Sequence, residues 1–98
     1  MSYTAYGFVE KDMFDAEECF VEVFKTQKEA IEAMENKAYK DIGFFVRDLG
    51  YAPVVTVDRE NNQITVINCS REECILYTEQ GDEVPRTDYR VIEVKIHE

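Results

Sequence analysis

The chain has 98 residues and a net charge of -10, from 21 acidic and 11 basic side chains; that length makes one domain, able to bury roughly 60–65% of the surface its unfolded form exposes. Leu, Ile, Val and Phe supply 26 residues, above the roughly 20% below which a highly charged chain stays disordered, so a folded protein is expected. The acidic balance disfavours direct contact with nucleic acid or an anionic membrane, which need Lys and Arg, and the lack of a leader-like start or of an apolar run near the ~18–20 residues of a membrane span predicts a soluble, cytoplasmic protein.

Valine and isoleucine far outnumber leucine, with six tyrosines and six phenylalanines beside them, a composition suited to a pleated surface. Residues 3–9 predict a first strand with Gly7 in its interior, followed by an acidic connection from Glu10 to Ala16. Residues 18–24 predict a second strand, with Cys19, Val21 and Val23 on one face and Glu18, Phe20, Glu22 and Phe24 on the other, as strand alternation requires. Thr26 followed by Glu29 is a capping box, in which hydroxyl and carboxylate each accept a backbone donor. Ile31, Met34, Ala38, Ile42, Phe45 and Leu49 then recur at spacings of three and four, which predicts a helix over 27–49. Gly50 ends that helix in the left-handed conformation, Pro53 prevents its resumption, and Gly43 marks a point where it could kink or divide.

Val54 to Asp58 and Ile64 to Asn68 flank a polar turn and predict a β-hairpin. Ser70 with Glu73 offers a second capping box before Cys74-Ile75-Leu76-Tyr77, where a short helix and a strand are both admissible. Residues 79–88 have the Gly, Pro and charge content of an exposed loop, and Tyr89 to Ile96 predict the last strand. One long amphipathic helix cannot bury its stripe alone. The expected fold is therefore a single two-layer α+β domain, residues 1–98, with an antiparallel sheet of about five strands against that helix, in the order β-β-α-β-β-short element-β.

The charge is not spread evenly. Residues 10–22 hold six acids against Lys11, residues 72–88 hold six against Arg86, and the remaining nine acids and nine bases cancel. Concentrated charge steers a cationic partner, whereas scattered charge mainly confers solubility. The candidate partner-binding residues are Asp12, Asp15, Glu17, Glu18 and Glu22 in the first segment and Glu72, Glu73, Glu79, Asp82 and Glu83 in the second. Phe14, beside Met13 among carboxylates, has the character of an apolar anchor inside a charged rim. Phe8 and Phe45 are expected in the core, and Phe14 or Phe44 exposed.

Catalysis has little to stand on. The only histidine, His97, is next to the chain end, too loosely held to serve a nucleophile. The spacing of Asp12, Asp15, Glu17 and Glu18 lacks the alternating ligands and central Gly of a calcium loop, and the cysteines do not make a compact zinc set, so no metal or other cofactor is expected. Cys19, Cys69 and Cys74 are an odd number without a close-set framework, which predicts free thiols, with Cys19 and Cys69 as small core side chains. In size and charge the chain resembles the acidic single-domain inhibitors of phages and mobile elements, including nucleic-acid-mimicking anti-CRISPR and anti-restriction proteins. It shares no motif with them, so the resemblance transfers no residue roles. It implies a non-catalytic module that binds, and inhibits or decoys, a protein with a basic, nucleic-acid-binding groove. The alternative is a structural or regulatory assembly module, such as a homodimer, in which the charge only confers solubility.

Overall fold

The computed structural model describes residues 2–12, 18–50 and 53–97. Its elements are β1 (Ser2–Asp12), β2 (Cys19–Phe24), α1 (Gln27–Leu49), β3 (Val54–Asp58), β4 (Gln63–Ile67), α2 (Arg71–Glu79) and β5 (Arg86–His97). The strands form one antiparallel sheet in the order β2-β1-β5-β4-β3, with α1 across one face: the expected α+β class. Among the described residues, no helix is long and apolar enough to cross a membrane.

The core follows from the two periodicities. Met34 and Ala38 on the α1 stripe, with Ile31, Ile42 and Phe45 partly buried beside them, meet Phe8, Ile64, Val66 and Tyr89 from the three central strands. Phe8 and Tyr89 stack with ring centroids 6.3 Å apart. Phe44 falls off the stripe and is exposed. The side chain of Leu49, the last member of the predicted stripe, lies outside the described residues.

At the helix start, Thr26 Oγ1 accepts from the Glu29 backbone N–H at 3.2 Å. The other half of the box differs from expectation: the Glu29 carboxylate accepts from the Thr26 hydroxyl at 2.8 Å rather than from a backbone donor. Gly50 closes the helix at φ 73°, its N–H donating to Val46 O. The helix runs unbroken through Gly43, whose missing side chain faces open space.

Two strand boundaries differ from the sequence reading for one reason. Glu10, Lys11 and Asp12, expected in a connection, and Arg86, Thr87 and Asp88, expected in a loop, pair with one another, so that β1 and β5 extend to Asp12↔Thr87. Pairing accommodates the charge where Asp12 accepts from Thr87 and Asp88 from Thr65 across the strands. The second strand also departs from simple alternation. Phe8 pairs with Glu22 and Val9 with Phe20, leaving Val21 as an extra residue in β2, a β-bulge. Because Phe8 and Val9 point to opposite faces, Glu22 and Phe20 do as well. Phe24 packs on the core, while Phe20 lies over Gly7 on the open face and is 61% exposed.

Candidate functional site at the acidic end of the sheet

The register that lengthens β1 and β5 also decides where the charge goes. Thr87 sits opposite Asp12 on one side and Val66 on the other, so the end of β1, the end of β4 and the start of β5 are level. Both acidic segments leave the sheet from that end. Thr87 holds them together: its hydroxyl donates to Asp12 Oδ1 at 2.5 Å and accepts from Asn68 Nδ2 at 3.0 Å. Alongside, Thr65 Oγ1 donates to Asp88 Oδ1 at 2.8 Å, and Arg86 Nε lies 3.5 Å from Asp88 Oδ2. A cavity of about 230 Å³ there is lined by Lys11, Asp12, Glu83, Arg86 and Asp88, residues of both segments.

The segments are unequal in what they leave available. Glu18 forms a two-pronged ion pair with Arg90 of β5: Arg90 Nε donates to Oε2 at 2.6 Å, and Nη2 pairs with Oε1. That guanidinium holds the Glu18 carboxyl below the usual carboxylate range and raises Arg90 in turn. Glu22 is exposed on the edge strand β2, away from this end of the sheet. Phe14, Asp15 and Glu17, with Met13, lie outside the described residues.

The second segment presents its charge outright. It is built as an excursion between β4 and β5, closed at its base by Asn68 N–H donating to Pro85 O at 2.8 Å. The admissible short helix forms here as α2, with the Ser70 hydroxyl accepting from the Glu73 N–H at 3.2 Å and Glu72 and Glu73 in the first turn, where the helix dipole favours acids. After Gln80, Gly81 turns at φ 75°, and Asp82 N–H donates back to Tyr77 O. No residue of α2 is buried, and among the described residues it packs against no other helix or strand. Ile75 and Leu76 are 50% and 55% exposed, and Glu72, Glu73, Glu79, Asp82 and Glu83 are exposed too. None of these five carboxylates forms an ion pair with another described residue. Glu73, Leu76, Tyr77 and Gln80 line a shallow cavity of about 250 Å³ along the helix.

The cysteines correct the expectation of free thiols. Cys69 and Cys74 are joined by a disulfide with Cα atoms 6.0 Å apart. A separation of five looked unremarkable in sequence, but a residue before an N-cap and one in the following turn are brought within bonding reach. Cys69 is buried as expected, whereas Cys19, expected in the core, is an exposed free thiol on the sheet edge.

One polar set escaped the sequence reading. Lys37 Nζ donates to both oxygens of Asp41 at 2.9 and 3.0 Å, and the buried Tyr89 hydroxyl donates to Asp41 Oδ2 at 2.6 Å. Burial first, then the hydrogen bond to Asp41, pushes the Tyr89 phenol well above its ordinary value; the hydrogen bond to Asp41 raises Lys37. The i, i+4 spacing of Lys37 and Asp41 was the available signal. These groups tie α1 to the sheet under the acidic end. Among the described residues, no three His, Cys, Asp or Glu side chains group to hold a metal ion. In comparisons with known proteins, no family model, curated protein or solved structure matches the chain.

Proposed function

We propose that the chain is a non-catalytic protein-binding module whose acidic end docks on a protein with a basic groove, acting as an inhibitor or decoy of a nucleic-acid-binding protein. The observation that carries this reading is that the described start of the first acidic segment lies against the second at one end of the sheet, through the pairing of Asp12 with Thr87. There, α2 offers what a helix-in-groove contact uses: apolar Ile75 and Leu76 among carboxylates, on a helix that packs against no other described helix or strand. The structure shifts weight within the residues chosen from sequence. Glu72, Glu73, Glu79, Asp82 and Glu83 lead, and Glu18 contributes less because Arg90 already neutralises it.

The test begins with capture of partners from the native cell at low and high salt, and the captured protein is then used in binding kinetics. Changing Glu72, Glu73 and Glu79 together to Gln should slow association about tenfold or more with a smaller change in dissociation. Glu18→Gln should do less. Binding indifferent to salt and to the triple change refutes the proposal.

The exposed edge strand β2, with Phe20, Val21 and Val23 all more than 45% exposed, favours the second reading, pairing with another copy of this chain. Salt separates the two. Chains of charge -10 repel, so self-association strengthens as salt screens them, whereas binding to a basic partner weakens. The unpaired Val21 of the bulge and Glu22 both work against edge pairing.

A further inference from the structure

The helix that the proposed docking relies on packs against none of the other described helices and strands. Nine residues are fewer than the ~12–15 at which an isolated helix becomes even marginally stable in water, and α2 buries no side chain. Two devices hold its first turn: the Ser70 cap and the Cys69–Cys74 disulfide, which straddles that cap. Cys69 is 1% exposed at the closed base of the excursion, next to Asn68, whose backbone bonds Pro85 and whose side chain bonds Thr87. Cys74 is on the helix itself and only half-buried. The bond therefore ties the helix to the one anchored point nearby.

We infer that Cys69–Cys74 is a reducible latch, whose substrate class is a dithiol, and that its redox state decides whether α2 exists as a helix able to dock. A thiolate of the dithiol attacks Cys74 Sγ, the more accessible sulfur; the S–S bond breaks and Cys69 leaves as a thiolate that takes up a proton. The second thiol of the reductant then attacks the mixed disulfide, releases Cys74 as a thiol and closes the reductant into its own disulfide. The protein gains two electrons and two protons, and the dithiol loses them. With the cross-link gone, the six-residue loop from Cys69 to Cys74 regains its freedom; in the chain-entropy limit this favours the unwound excursion by about 40-fold. Among the described residues α2 contacts none of the strands, so the change is expected to stay within the excursion.

This inference rests on the docking reading for its consequence but not for its test. Amide hydrogen exchange is followed by mass spectrometry on the oxidised protein, on protein treated with a small dithiol, and on Cys74→Ser, all in a Cys19→Ser background so that the exposed thiol cannot exchange. Reduction and Cys74→Ser should each accelerate exchange across residues 75–79 by about tenfold to fortyfold and leave β1 and β5 unchanged. Equal exchange in both redox states overturns the latch, as does recovery of fully reduced thiols from an oxidising glutathione buffer. Neither result touches the acidic docking reading, which stands or falls on the salt dependence of partner binding.

Discussion

Replacing Tyr89 with Phe removes a single oxygen from the centre of the molecule and tests the polar tie between α1 and the sheet. Tyr89 is 1% exposed, and its hydroxyl donates to Asp41 Oδ2 at 2.6 Å. The ring remains, so its packing on Phe8 is kept, and the loss is one hydrogen bond to a charged acceptor, about 1.5–3 kcal/mol. Asp41 is not left orphaned, because Lys37 still donates to both its oxygens. That places the expected cost toward the lower end, ~2 kcal/mol, or a Tm lower by ~10 °C for a domain of this size. Urea unfolding followed by far-ultraviolet circular dichroism should show a lower midpoint with an unchanged slope. Pairing the change with Asp41→Ala in a double-mutant cycle should give a coupling of about 1 kcal/mol or more, since the residues are in contact. A Tyr89→Phe protein within ~0.5 kcal/mol of wild type, or strictly additive changes, refutes the tie.

Alkaline pH probes the same set. The folded-state values of Tyr89 and Lys37 are raised above their ordinary 10.0 and 10.5, so their contribution is complete below about pH 10 and is lost as pH rises through the folded values. Unfolding midpoints should hold steady through neutrality and fall above that point, and the Tyr89 phenolate should appear in ultraviolet absorbance only as the fold is lost. Appearance of the Tyr89 phenolate while the circular dichroism stays native contradicts this. Ala38→Leu places a larger side chain where α1 approaches the sheet with 0% exposure; it should cost about 1–3 kcal/mol by chemical denaturation, and a neutral result means that the helix does not seat closely. Gly7→Ala brings a Cβ to 2.9 Å from Phe20 Cε1. That exposed ring and the Val94 Cγ2 methyl at 3.2 Å must both give way; the change should stay within ~1 kcal/mol, and a larger loss in the same assay shows that one of the two is pinned.

Where one signal decided an element, the element could be read directly. The α1 stripe, the Thr26 cap and the Gly50 stop act within one helix, and the observed span is Gln27–Leu49. The hairpin was equally local: Asp58 accepts from the Glu60 and Asn61 N–H groups, and Asn62 takes the left-handed turn position. Strand ends were another matter. Glu10 to Asp12 and Arg86 to Asp88 carry turn-like composition, and only their mutual pairing makes them strand. The bulge at Val21 depends on two strands at once, so no reading of β2 alone separates Glu22 from Phe20.

The same division explains the site. That the charge comes in two blocks is a property of composition; that the described start of the first block meets the end of the second is a property of register. Sliding β1 by two residues against β5 would keep every side chain on its face yet move Asp12 away from Thr87, separating the first segment from Asn68 and the excursion. The charge count would be unchanged and the convergent site gone. A strand pair that extends to Asp12↔Thr87 and is pinned there by Thr87 bonding both Asp12 and Asn68 is therefore what turns a diffuse negative charge into a located one. The central core residues hold the register at Phe8, Ile64 and Tyr89, and the Lys37–Asp41–Tyr89 set holds α1 over it. The acidic end thus inherits its geometry from the hydrophobic core, while α2 is joined to that core, among the described residues, through its Ser70 cap and its disulfide to the buried Cys69.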